Sequence, residues 1–117
     1  MEKVEYLNFR PNLPVQDLER AVAFYRDIIG LDQIQLAPEY GLAILSKQGA
    51  EVALFQNEAP VSQGAYLYVK NVEALYAYCQ SQGAEINREL TTHPYGIKDF
   101  VVKDPDGHLI GIGQKVN

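Results

Sequence analysis

The pattern that most restricts this 117-residue chain is a repeat. Residues 4–15 read as extended, and Pro11 and Pro14, which donate no backbone N–H, confine them to an edge strand or a partly irregular stretch. Asp17 offers an N-cap, Ala21, Val22, Tyr25, Ile28 and Ile29 follow at helical spacing, and Gly30 supplies a stop. Three short β-patterned runs come next, at 32–37, 41–47 and 51–56, separated by turn-forming residues. After an aperiodic stretch the order begins again. An extended run at 65–69 leads to an N-cap at Asn71 and a helical stripe of Val72, Leu75, Tyr76 and Cys79 that ends at Gly83. A strand at 85–88, a polar loop around Thr91-Thr92-His93-Pro94 and a hairpin turning at Asp104-Pro105-Asp106-Gly107 complete it.

The two halves agree in residues as well as in order. Val15-Gln16-Asp17-Leu18-Glu19 is answered by Val69-Lys70-Asn71-Val72-Glu73, and Ala23-Phe24-Tyr25 by Ala77-Tyr78-Cys79, at one constant offset. The prediction is a single α+β domain spanning 1–117, built from two tandem βαβββ modules at about 4–57 and 64–115 with a linker at 58–63. Modules this small cannot bury both faces of a four-stranded sheet alone, so they pair, with helices on one face and an open, concave sheet on the other. A second copy of the chain would bury more, and a homodimer is expected.

Composition narrows the function classes. Fifteen acidic against ten basic residues give a net charge of −5 with no basic cluster, which disfavours nucleic acid. No apolar run approaches the roughly 20 residues of a membrane span, and the N-terminus carries no signal pattern, so no membrane partner and a cytoplasmic location are expected. The single Cys79 excludes an internal disulfide and leaves no cysteine-based zinc site. No phosphate-binding glycine loop, nucleophile elbow or Cys–His pair occurs.

Several segments resemble the vicinal oxygen chelate superfamily, which groups glyoxalases, bleomycin-resistance proteins and extradiol dioxygenases. They are Leu13-Pro14-Val15-Gln16-Asp17-Leu18, the run from Ala21 to Asp27, Gly30-Leu31, and above all Tyr95-Gly96 followed by Phe100, Val102 and Asp104-Pro105-Asp106-Gly107-His108. The resemblance covers essentially the whole chain and implies a cup-shaped sheet in which enzymes of the family hold a divalent metal. It places the metal-ligand positions at Arg10, Ala53, Gly64 and Gly111. A guanidinium, a methyl and two glycines cannot coordinate through their side chains. No metal, no cofactor and no catalytic residue are therefore expected, and the enzyme question leans to no. What the resemblance then implies is the metal-free, bleomycin-resistance-like branch, which sequesters an organic ligand or antibiotic in a dimeric cleft.

Strand alternation from those positions gives candidate ligand-binding residues. Asn8, Arg10 and Asn12 face inward on the first strand, with Phe9, Leu13 and Val15 toward the helices. Phe55 lines the fourth strand, Tyr66 and Tyr68 the fifth, and His93 and Tyr95 stand in the loop before the seventh. Such a set suits a planar or amphipathic small molecule. Each also has a plain structural reading: Arg10 held by an acidic neighbour or an interface, the tyrosines packed on the sheet, His93 and Tyr95 solvated. Gly64 and Gly111 are either open space or points of close approach. Tyr25 and Tyr78 read as core or rim, His108 as a strand start, and Lys103-Asp104 with Asp106 as turn chemistry and a solvated pair. Two other readings stay open: an atypical lyase, isomerase or dioxygenase, including metal-free acid–base chemistry on His93, Tyr66 or Asp99, and a non-catalytic module with a filled cup.

Overall fold

A computed structural model describes residues 3–116. It contains two four-stranded sheets of identical topology. In the first, β1 (Asn12–Val15), β2 (Gln33–Ala37), β3 (Leu42–Lys47) and β4 (Ala50–Gln56) lie in the order β1-β4-β3-β2. In the second, β5 (Gly64–Tyr68), β6 (Glu85–His93), β7 (Ile97–Lys103) and β8 (Leu109–Lys115) lie in the order β5-β8-β7-β6. The first strand of each sheet runs parallel to the last, and the other pairs are antiparallel hairpins. The repeated sequence pattern is thus a repeated fold, laid out as a slab 46 × 44 × 24 Å.

Each module carries its helix on one face. In α1 (Leu18–Phe24) the Asp17 carboxylate accepts the Arg20 N–H at 3.0 Å, and Ala21 and Val22 are buried. Its last turn widens into a π-turn at Tyr25–Ile29, closed by Gly30 at φ +96°. In α2 (Val72–Ser81) Asn71 caps from the left-handed region, and Val72 and Cys79 face the sheet. Leu13, Val15, Leu45 and Leu54 under α1 and Phe100, Val102 and Ile112 under α2 belong to one apolar core that runs through both modules.

The Asp104–His108 turn fastens the modules together. Asp104 is buried, accepts the Tyr25 hydroxyl at 2.7 Å, and also accepts the backbone N–H groups of Asp106 and His108. Asp106 accepts the Gln16 N–H at 2.8 Å, with Arg20 at 3.6 Å. His108 is fully buried: Nδ1 accepts the Gln63 N–H at 2.8 Å and Nε2–H donates to the Pro14 carbonyl at 2.6 Å. The solvated pair expected of Lys103-Asp104 with Asp106 is therefore replaced by two carboxylates buried as an inter-module clamp. Lys103 turns instead to Glu85, at 3.3 Å. Tyr25 belongs to the core, and Tyr78 sits on the rim with its hydroxyl donating to the Asp27 carbonyl at 3.0 Å.

Two local expectations are corrected. Only Asn12–Val15 of the first extended segment pairs in the sheet, and residues 4–10 form an exposed arm in which Phe9 is fully exposed rather than turned to the helices. Proline at 11 gives no N–H to a ladder, so pairing starts just beyond it, although the Pro11 carbonyl still accepts the Ala53 N–H at 3.0 Å. In the second module the strand at 85–88 continues to His93, so Thr91-Thr92-His93 are strand and not loop. They pair with Asp99, Lys98 and Ile97 after two register shifts near Arg88, and cross-strand pairing overrides their polar composition.

Candidate functional site: the open face of the second sheet

The site grows from two glycines. Gly111 and Gly113 lie on β8 directly opposite Tyr66 and Tyr68 of β5, on the face away from the helices. A Cβ at Gly111 would lie 2.5 Å from Tyr66 Cδ1, and one at Gly113 would collide with the Tyr66 hydroxyl. The tyrosine ring thus lies flat across β8, in space that exists because both positions lack a side chain. That reach ends on β7, where the Tyr66 hydroxyl donates to Asp99 Oδ2 at 2.7 Å. The point of close approach anticipated at Gly111 is made by a ring rather than by backbone.

Asp99 is the hub. Its Oδ1 also accepts from Arg88 Nη2 at 2.5 Å and from His93 Nε2 at 2.7 Å. Burial alone would raise its pKa, but the hydrogen bonds from Tyr66, Arg88 and His93 outweigh it and hold the carboxyl below its ordinary value. An ionised carboxylate only accepts, so His93 carries its proton on Nε2, and Nδ1 has no partner among the described residues. The Tyr66 hydroxyl is pushed well above the usual range by desolvation and by the carboxylate beside it.

Aromatic rings frame this hub. Tyr66 and Tyr68 meet edge to face at 4.9 Å, and His93 and Tyr95 stack in parallel at 4.8 Å and 6°. Lys115 Nζ lies 5.5 Å from the Tyr68 ring centre. Tyr66, Tyr68 and Tyr95 remain open to solvent at 44%, 56% and 69% exposure. Beside this face a groove of about 1400 Å³ runs between the modules, bounded by Tyr66 and Tyr68 on one side and Phe9, Pro11 and Glu51 on the other. It is large enough for a drug-sized molecule.

The eight candidate positions divide into two groups. Tyr66, Tyr68, His93 and Tyr95 come together around Asp99 and Arg88. Asn12 and Phe55 lie on the first sheet, where they pair with Ala53 and Leu42, and Asn8 and Arg10 lie on the arm before β1. Arg10 donates to Asn12 Oδ1 at 3.3 Å and lies 3.8 Å from Glu51, as its structural reading anticipated. Arg88 and Lys115 escaped the sequence reading. Lys115 follows from the alternation that marks Gly111 and Gly113, whereas Arg88 sits at the bulge, where alternation fails.

The four positions where a metal-binding relative would carry ligands do not suit a metal. Arg10 is off the sheet, Ala53 is a buried methyl, Gly64 has no donor side chain, and the volume above Gly111 holds the Tyr66 ring. Among the described residues no three of His, Cys, Asp and Glu gather.

Paired βαβββ modules with helices outside and an aromatic, polar open sheet define a class of small cup-forming domains. The chain belongs to the Glyoxalase/Bleomycin resistance protein/Dioxygenase superfamily, whose family model matches residues 6–112. It is 27% identical to a bleomycin resistance protein of Geobacillus stearothermophilus, over 91% of this chain and 95% of that one, and equally to one from Staphylococcus aureus. Among solved structures it resembles TioX from Micromonospora sp. ML1, with a TM-score of 0.84 at 20% identity, covering 95% of this chain and 100% of that one. It also resembles lactoylglutathione lyase from Agrobacterium tumefaciens, with a TM-score of 0.79 at 19% identity and 95% coverage of both.

Proposed function

We propose that this protein is a metal-free binding protein that sequesters a small organic molecule, in the manner its bleomycin-resistance relatives suggest. The observation that carries the reading is the open face of the second sheet, where Tyr66, Tyr68, His93 and Tyr95 present rings around a satisfied Asp99 beside the inter-module groove. Rings held by hydrogen bonds and stacking form a pre-organised platform for a planar group. Asn8, Arg10, Asn12 and Phe55 serve the same ligand from across the groove or from a second copy.

The working unit is a homodimer. Tyr6, Leu7 and Phe9 of the arm are each more than 80% exposed, and β1 and β5 are edge strands. Exposed apolar residues on a free arm favour burial against another chain. A cytoplasmic location suits the acidic chain and its free, buried Cys79, and no helix among the described residues is long and apolar enough to cross a membrane.

The test is a thermal-shift series on chelator-treated protein against planar aromatic natural products, bleomycin first. A ligand at 100 times its dissociation constant adds about 2.7 kcal/mol and raises the melting temperature visibly. Absence of any shift across the series at concentrations well above micromolar sinks the reading. One observation favours a second reading: Tyr66 and His93, residues acid–base chemistry would need, both hydrogen-bond to Asp99. Turnover of a bound ligand that is abolished in His93→Gln would establish it.

A further inference from the structure

The charges on the open face of the second sheet narrow the ligand class. Strand register places Glu85 on β6 and Asp99 on β7 among the residues of that face. Both are already engaged. Glu85 pairs with Lys103 at 3.3 Å, and Asp99 accepts from Arg88, His93 and Tyr66. Asp99 has no free oxygen to offer an incoming cation without giving up a partner, and Glu85, whose Oε1 stays free, stands opposite Lys103 at the far end of the strands from Lys115.

The cations are less completely matched. Lys115 is exposed, reaches over the Tyr68 ring at 5.5 Å, and has no carboxylate within 4.0 Å among the described residues. Arg88 gives Nη2 to Asp99, while its Nη1 makes only long contacts of 3.4 and 3.5 Å to two carbonyls and the side chain stays 38% exposed. Pairing off Lys103 with Glu85 and Arg88 with Asp99 leaves Lys115, over the Tyr68 ring, and Glu89, exposed on the outermost strand β6, so the unpaired charge beside the tyrosine platform is the positive one of Lys115. This local sign is opposite to that of the chain, whose net charge is −5.

We infer that the site takes a planar aromatic anion, such as an aromatic carboxylate, whose ring stacks on the tyrosine platform while its acid group faces Lys115 and the spare Arg88 nitrogen. This rests on the face being a ligand site at all. The chemistry is that of a flat acid rather than of a cationic drug. The acidic remainder of the molecule acts over distances that salt screens, whereas Lys115 acts at contact.

Three probes of one shape separate the two ideas: 2-naphthoate, 2-naphthamide and 2-naphthylmethylammonium, titrated calorimetrically into the full-length protein at physiological salt. The expected order is the anion tightest, the amide about tenfold weaker and the ammonium weaker again, as one partly exposed charge at contact distance gives. Lys115→Gln, an exposed substitution, should cut the anion's advantage over the amide to about threefold. Equal affinity for anion and amide, or preference for the ammonium, overturns the charge class while the binding site stands. An unaltered anion advantage in Lys115→Gln also overturns it. Silence from all three probes removes the ligand site as well.

Discussion

The substitution Gly111→Ala isolates the joint on which the site depends. Gly111 has ordinary strand backbone, so alanine brings no conformational strain there, and every close contact of the added methyl is to the Tyr66 ring, at 2.5, 2.8 and 3.6 Å. The ring must swing off β8, and its hydrogen bond to Asp99 goes with it. A hydrogen bond to an ionised group contributes about 1.5–3 kcal/mol, and with Tyr66 44% exposed the lower end applies. Replacing a strand glycine by alanine returns about 0.5 kcal/mol. The expected net loss is about 1 kcal/mol, or about 4 °C in melting temperature for a domain of this size. In a Tyr66→Ala background the same substitution meets nothing and should be neutral or slightly stabilising. Thermal and urea unfolding of the four proteins of this cycle, followed by circular dichroism, measures the difference. An equal cost in both backgrounds would refute the ring-over-glycine account.

Other outcomes follow from the same geometry. Tyr25→Phe removes the buried hydroxyl from Asp104 and should cost about 2 kcal/mol in urea unfolding, since it leaves an inter-module carboxylate short of a donor. Asp99 has a folded pKa below its ordinary value of 3.8, so its stabilising effect is complete above that value and fades as pH falls through the lower folded value. Melting temperatures between pH 5 and pH 2.5 should therefore fall more steeply for the natural protein than for Asp99→Asn. Cys79 is pushed up by burial to about 11, so at pH 8 a thiol reagent should label it only as fast as the chain opens; immediate labelling would contradict its burial. Arg10→Ala should change stability by less than about 1 kcal/mol, because its pairing with Glu51 is long and partly exposed.

Much of the fold was legible because it rests on short-range signals stated twice. The caps at Asp17 and Asn71, the stops at Gly30 and Gly83 and the helical stripes depend on neighbours within a few residues. The Tyr66 and Tyr68 side of β5 followed from period-two alternation. What escaped lies where distant strands decide. Thr91-Thr92-His93 look like loop until β7 pairs with them, and Arg88 joins Asp99 only because a bulge turns it there. The clamp role of Asp104 and Asp106 was hidden for the same reason. A turn sequence carries its bend locally, but its partners Tyr25, Gln16 and Pro14 lie 79, 90 and 94 residues away. Arg10 shows the converse, since parity counted back past Pro11 continued a strand that proline had already ended.

The most direct measurement is an isotope-filtered nuclear Overhauser experiment on chelator-treated protein saturated with the best ligand from the thermal-shift series. The account predicts contacts from the ligand's aromatic protons to the rings of Tyr66, Tyr68 and Tyr95. Contacts confined to other parts of the surface, or binding that appears only when a divalent metal is restored, would contradict it.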